Sequence, residues 1–598
     1  MQTDLSWSPQ VRSLAISIGL ALASSQSLAS SLGTMIRPQA FKATADRLIS
    51  NNVVPVISCA DDGSAGTLRD AFTNAIDGDT IDLSGLTCST ITLTTGALVD
   101  SPAALNVKLL GSGQTIDGAD SDRVISHLGT GNLTIQQLTI AHGHHTTAGG
   151  CIYSAGSVTL RRSIVSSCHV IASGYYDAAQ GGAIFAQGGV DVYDASTISD
   201  SSANSEFGKV EGGGVWALDH VRVRASSISG NSAFSPIGYS RGGGVFAYQP
   251  NSNLLGYTVA VTRSTISANS ATYGGGIFAD HVSVLYSTIS DNIATLDGGG
   301  ILAQARAGAF PFSNLCLNGT ISGNRSGQNG GGLAIQTGEA LVMEYCTITN
   351  NHSQKGGGGI FSSGTLGRFN SVIIAGNDST LVPSGGDLGG TLTAVTGEKN
   401  LIVASTIFVP MDTINSPPLL GPLQANGGTT FTHALMPGSP AIDHGGNREF
   451  AAYDQRGHGN PRVVGSSADI GAFEFNDHPS PSVACVLPSQ IFLAGTTSTD
   501  GTTDVVAIDL SKLFLAPTGN SLSYSASGLP IPPLAIDAAT GMLTGTLGSG
   551  DAGTTTATLT ATASPAGTSA TQTVRFDMLS AQDHIFRNGF DLQPQPCQ

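Results

Sequence analysis

The sequence predicts an all-β protein: a right-handed parallel β-helix with an N-terminal capping helix, followed by a small β-sandwich. Three observations lead there. A phrase of glycines and an aliphatic residue returns eight times, as GGCIYS at Gly149, GGAIFA at Gly181, GGGVWA at Gly212, GGGVFA at Gly242, GGGIFA at Gly274, GGGILA at Gly298, GGGLAI at Gly330 and GGGGIF at Gly356. Measured between the aliphatic residues from Ile152 to Ile360, its spacing is 32, 31, 30, 32, 24, 32 and 27 residues, the mark of a repeat architecture. A second phrase follows most copies: SSISGNSA at Ser226, STISANSA at Ser264, STISDNIA at Ser287, GTISGNRS at Gly319 and CTITNNHS at Cys346.

Each period offers three candidate strands: the glycine-aliphatic segment, a VxV segment such as VRVR at Val221 or VSVL at Val282, and the STIS segment. Three short strands separated by bends make one turn of a parallel solenoid, whose aliphatic residues stack about 4.8 Å apart on successive turns. The Asn three residues after each Ile (Asn231, Asn269, Asn292, Asn324, Asn351 and Asn377) is expected to stack as a structural ladder. The glycines allow positive φ at another corner. Residues 149–414 are read as this repeat.

Upstream, Arg12 precedes the apolar run SLAISIGLALASS and the small-residue site SLAS, which reads as a secretory signal over residues 1–29. Residues 53–148 hold VVPVISC, then GTLRDAFTNAI, whose Leu68, Phe72 and Ile76 share one helical face behind Thr67 as N-cap, then irregular first strands. The helix is expected to lie over the first turn and shield the open strand edges. No later apolar run has the length of a transmembrane helix.

Residues 415–477 change to NSPPLLGPLQANGG, GSPAIDHGG and YDQRGHGNPRVVGSSADIGAFEF, rich in Pro and Gly, and read as a loop-rich cap over the last turn. Residues 485–578, behind the HPSPS linker, read as short Thr-rich strands with Tyr524, Leu529, Ile536 and Leu543 as core and Gly541 at a hairpin turn. Residues 579–598, with DHIFRNGFD, read as a tail that is either a sorting element or disordered.

Several of these stretches resemble known families. GGAIFA with the ISxN phrase resembles the polymorphic outer membrane protein repeat, which implies a surface-exposed bacterial β-helix. The phrases of residues 415–477 resemble the closing segment of the choice-of-anchor Q family. LSYSASGLP with LAIDAATGMLTGTL resembles immunoglobulin-like, cadherin-like surface modules; APTGN at Ala516 stands where such modules often carry an acidic calcium loop.

The eight cysteines of an exported chain are expected to pair, with Cys59–Cys88 and Cys151–Cys168 as local candidates. Cys316 and Cys346 sit at different offsets in adjacent repeats, which argues against a simple bridge between turns. A net charge of −17 disfavours nucleic acid and anionic membrane as partners. No cofactor is expected, and the Cys and His spacings give no zinc motif.

Parallel β-helices of the pectate-lyase-like type include pectin-degrading enzymes, so catalysis needs a test. Asp219 and Asp280 each lie nine residues before an STIS isoleucine and precede His220 and His281, with Tyr257 between them in the column. Two carboxylates of a glycosidase stand roughly 5–9.5 Å apart; two turns separate these by about 9.6 Å. The alternative, a recurring turn in which Asp accepts backbone hydrogen bonds, is preferred. AHGHH at Ala141 and GHG at Gly457 are read as loops, and Trp216, Phe246, Tyr248, Tyr273 and Phe278 as turn fillers. The expected role is non-catalytic: adhesion, or binding of polysaccharide or a cell-surface glycan. The alternatives are a polysaccharide lyase or glycoside hydrolase, and a spacer displaying the C-terminal module. Interruptions of the repeat at 174–180, 205–211, 234–241, 249–256 and 304–314 are where function is expected.

Overall fold

The computed structural model describes residues 52–474 except 175, 248–257, 305–312, 337–339, 365 and 393–394. It also describes 475–476, 482–483, 487, 490–493, 505–516, 521–529, 534–546, 553–564 and 568–579. The expected signal at 1–29 lies outside these residues, as does the expected tail at 579–598 apart from Leu579. The chain divides into two compact units, Met1–Glu474 and Phe475–Gln598. No described helix is long and apolar enough to cross a membrane.

The first unit is a parallel β-solenoid. Its VxV strands form a 13-stranded sheet, its STIS strands a 12-stranded sheet and its glycine-aliphatic strands an 11-stranded sheet. Register follows the repeat. In the STIS sheet Ile198 pairs with Ile228, then Ile266, Ile289, Ile321, Ile348 and Ile374 on successive turns. In the glycine sheet Ile152 is followed by Ile184, Val215, Val245, Ile277, Ile301, Leu333 and Ile360. These side chains fill one continuous interior. β-Branched residues suit it because they pack against their equivalents above and below on a pleated surface.

Nine turns carry a fourth strand where the sequence predicted three. The two or three residues that follow the ladder positions, such as Ser202–Asn204 after Ser201 and Ser232–Phe234 after Asn231, extend and pair into this fourth, nine-stranded sheet. They are too short and too polar to carry a periodic hydrophobic signal.

The glycine phrase is explained residue by residue. Gly212 has φ +74°, and a Cβ there would stand 2.3 Å from the Val215 carbonyl oxygen; on Gly213 it would stand 2.3 Å from the Gly243 oxygen. The first glycine thus makes the left-handed turn and the second admits the neighbouring backbone.

Helix α1, Leu68–Thr73, is capped by Thr67, whose side chain accepts from the Asp70 N–H, and it buries Leu68, Ala71 and Phe72. Ile76, expected on the same face, is 63% exposed because the helix ends at Asn74. At the other end of the solenoid, Ile407 and Val409 pack against the interior.

Three disulfides join Cys59 to Cys88, Cys151 to Cys168 and Cys316 to Cys346. The last corrects the sequence reading. Cys316 pairs in register with Val284 on a VxV strand, while Cys346 immediately precedes the STIS strand Thr347–Thr349 of the following turn, so the bridge runs diagonally and unequal offsets are what it requires. Cys485 and Cys597 lie outside the described residues.

In the second unit one sheet of four strands and one of three enclose a core that includes Tyr524, Leu529, Leu543 and Phe576, with Ile536 packed beside it. Gly541, at φ +73°, turns the chain into the strand Met542–Thr546.

Candidate binding site

Of residues 415–477, expected over the last turn, 418–474 run instead along the outer face of the STIS sheet. Thr288 Oγ1 donates to the Phe431 carbonyl at 2.7 Å, Thr320 Oγ1 to Gln455 Oε1 at 2.6 Å, and Ser322 Oγ meets His433 Nε2 at 2.8 Å. Ala472 N–H donates to Thr347 Oγ1 at 3.0 Å. Alternation puts the isoleucine of each STIS strand inside and its flanking hydroxyls outside. A segment poor in strands of its own satisfies its backbone on those hydroxyls.

Burial records the cover. Thr288, Ser290, Thr320, Ser322, Thr347 and Thr349 are buried, whereas Thr197, Ser199, Ser227, Ser229, Thr265 and Ser267 are only half-buried. The segment is pinned by Arg462, fully buried, whose guanidinium pairs with Glu474 at 2.9 Å and donates to the Asp469 and Gly471 carbonyls. It lies 5.2 Å above the Tyr345 ring. Burial raises the Tyr345 hydroxyl to a pKa of about 12.

Beyond the covered turns the sheet face opens into a groove of about 570 Å3. Its floor is Thr197, Ser227 and Thr265, its side the corner residues Asp194, Ala225 and Arg263, and its end Thr429 of the covering segment. Ser196, Ser226 and Ser264 also line the groove, and with Ser287 they form a second ladder, each hydroxyl accepting the N–H of the corner residue one turn before. Those hydroxyls also donate to nearby carbonyls, as Ser226 does to Arg224 at 2.9 Å, so they hold the corner rather than facing a partner. Arg263 is exposed, within 5.8 Å of the Tyr286 ring.

The asparagine ladder is internal. Asn231, Asn269, Asn292, Asn324 and Asn351 each donate Nδ2–H to the Oδ1 of the next at 2.9–3.0 Å, and Asn377 donates to Asp387 Oδ1 at 2.9 Å. Burial pushes the Asp387 carboxyl up, against its hydrogen bonds from Asn377 and Ala404. An acceptor-only side chain suits the last step of a ladder whose donors all point one way.

Asp219 and Asp280 each lie two residues before paired valines, Val221 and Val282, with Val259 between, so register keeps them two turns apart. Tyr257 lies outside the described residues. Their surroundings differ. Asp219 Oδ2 is 3.2 Å from His220 Nδ1, and His220 Nε2 is 2.9 Å from Arg222 and 3.6 Å from Asp191 Oδ1. Gly189 makes room for that imidazole: a Cβ there would stand 2.2 Å from His220 Cε1. Burial pushes the Asp191 carboxyl up, but hydrogen bonds from His220 and Tyr193 and nearby positive charge outweigh it and leave it low. His281, by contrast, is buried beside Asp280.

The aromatic residues of the glycine sheet stack on each other. Tyr153, Phe185, Trp216, Phe246 and Phe278 follow with centroids 4.4–6.4 Å apart and planes within 16°. The faces between them are therefore occupied by neighbouring rings, and Arg123 and Arg241 lie over the two end rings, Tyr153 and Phe278. The first three interruptions of the repeat pair as Ala179–Gln180, Val210–Glu211 and Ser240–Arg241 beside this column, where buried Glu211 accepts from Trp216 Nε1 and Gln180. Residues 249–256 and 305–312 lie outside the described residues. The groove was not among the predicted sites. The signal that could have found it is the repeated Thr or Ser on both sides of each STIS isoleucine.

Residues 345–363 match the Chlamydia polymorphic membrane protein repeat. The matched stretch runs from Tyr345 through the strand Thr347–Thr349, the ladder residue Asn351 and the glycines to the strand Ile360–Ser362, so both sequence phrases belong to one structural unit. No curated protein matches the chain. The repeat and the parallel solenoid together fit a β-helix surface protein.

Proposed function

We propose that the protein is an exported bacterial surface protein that binds polysaccharide or a cell-surface glycan along the uncovered STIS face, without catalysis. The observation that carries this reading is the groove ending at Thr429. The same hydroxyl columns that hold the chain's own segment through Thr288, Thr320 and Ser322 continue unoccupied by that segment at Thr265, Ser227 and Thr197. A row of hydroxyls at a spacing of about 4.8 Å suits an extended, hydroxyl-rich partner lying along the solenoid. Arg263 adds a charged donor for an acidic substituent.

On this reading α1 closes the first turn, the second unit is an immunoglobulin-like module, and the solenoid presents the binding face. The repeat match at residues 345–363 supports display at the cell surface. The experiment is a glycan array and a polysaccharide-degradation screen on the purified chain and on Thr265→Val and Arg263→Ala variants. Saturable binding that both variants weaken, without product release, is the expected result. Product release lost in Asp219→Ala would replace this reading with an enzymatic one.

A further inference from the structure

The outward column of the glycine sheet ends in surroundings unlike the rest of it. From Tyr153 to Phe278 each ring lies against the next. The column then passes through Leu302 and Ala334 to Phe361, and the residue paired with Phe361 on the following turn is Gly389. Glycine has no side chain to stack on the ring. A pocket of about 250 Å3 opens there, lined by Phe361, Asn329, Lys355, Val382, Thr391 and Thr406 with glycine backbone between them.

Two further observations concern the rim. Val382 is 39% exposed and its neighbour Leu381 69%, so apolar side chains stand in solvent beside the ring. Lys355 Nζ meets a neutral partner, Gln328 Oε1, at 3.1 Å, and among the described residues no carboxylate pairs with it. The pocket therefore combines an apolar ring, a cation and two hydroxyls, a small number of polar groups around an apolar floor. It is too small for a chain of sugars and large enough for one ring. An aliphatic side chain would use the floor and leave the cation idle; a neutral sugar would do the same.

We infer that this pocket binds a single uronate ring, the apolar face of the pyranose resting on Phe361 and its carboxylate meeting Lys355. The inference rests on the glycan-binding reading for its ligand class but uses a face of the solenoid other than the hydroxyl groove. It makes the protein selective for acidic polysaccharides, with one contact along the chain and one at a single residue.

The test is ligand-detected NMR titration of the full chain with methyl β-D-glucuronide and, in parallel, methyl β-D-glucoside. The glucuronide binds, and Phe361→Leu, which keeps apolar volume without a flat ring, weakens it roughly tenfold, the equivalent of one lost contact of about 1.4 kcal/mol. Lys355→Met reduces glucuronide affinity to that of the glucoside and leaves the glucoside unchanged. Failure of the glucuronide to bind, indifference to Phe361→Leu in a variant with native circular dichroism, or preference for an acidic aromatic peptide overturns the inference. If array binding persists and depends on Arg263 while the glucuronide fails, the pocket falls and the groove reading stands.

Discussion

Gly214 and Asn231 are fitted to each other: the Cβ that Gly214 lacks would stand 3.0 Å from Cγ of Asn231. The same relation holds for Gly244 with Asn269, Gly276 with Asn292, Gly300 with Asn324 and Gly332 with Asn351, at 2.9–3.1 Å. Where the ladder position is not Asn, the third glycine is also replaced. Ser201 faces a turn with Ala183, and Cys168 is bonded to Cys151. The glycine phrase and the ISxN phrase are thus two halves of one packing arrangement, 16 to 25 residues apart in sequence.

This relation predicts coupled mutations. Ser201→Asn alone forces an amide against the Ala183 methyl and costs about 1–3 kcal/mol by overpacking. Adding Ala183→Gly restores stability and extends the ladder by one step, because Ser201 N–H already donates to Asn231 Oδ1. A double-mutant cycle by chemical denaturation reads the coupling; additive losses would show that the two positions are independent.

Asn292→Ala removes the Nδ2 donor to Asn324 Oδ1, Ile266 O and Ser290 O and strands the backbone N–H and one Nδ2–H of Asn269, whose other Nδ2–H keeps the Ile228 carbonyl. Buried groups left unpaired cost about 1–3 kcal/mol each. Hydrogen exchange should rise first in the turns carrying Asn269, Asn292 and Asn324, as expected where each repeat contacts only its neighbours.

His433 makes the covering segment acid-sensitive. Its Nδ1 meets the Gly421 carbonyl at 2.7 Å and its Nε2 the Ser322 hydroxyl, which fits a buried neutral ring, and burial lowers its pKa. The unfolded imidazole takes a proton near pH 6.5 that the folded one resists. Stability is therefore full above about pH 6.5 and is lost as pH falls below it. Limited proteolysis within 418–474 should accelerate in that window, and His433→Asn, which cannot titrate, should flatten the pH dependence while lowering the baseline.

Removing the Cys316–Cys346 bridge, which closes a separation of 30 residues, costs about 3–4 kcal/mol in the chain-entropy account. Cys346 stands in the corner column of Ser287, immediately before an STIS strand, and its Sγ approaches the Glu344 carbonyl as Ser287 Oγ does that of Leu285. Cys316→Ala with Cys346→Ser should therefore keep the circular dichroism of the native chain and lower only its denaturation midpoint. Loss of the β-signal would mean the bridge is required for folding.

The solenoid was legible because Ile228, Ile266 and Ile289 repeat with the period of a turn and their register is forced by burial. The fourth strand was not, since Ser232–Phe234 carries no apolar alternation. The path of residues 418–474 was illegible for a different reason. Their partners are hydroxyls on Thr288 and Thr320 more than a hundred residues away in sequence, and a Thr beside an Ile reads the same whether solvent or chain covers it. Cys316–Cys346 was misread because offsets within a repeat do not give the diagonal reach between a strand and the next corner. The groove inherits the same blindness, being defined by where cover stops.

The most direct measurement is hydrogen–deuterium exchange of the full chain with and without an acidic polysaccharide. Protection is expected to centre on 194–199, 225–229 and 263–267, continuous with Thr429 and lost in Arg263→Ala. Protection at Asp219 and His220 with none in the hydroxyl groove would contradict it.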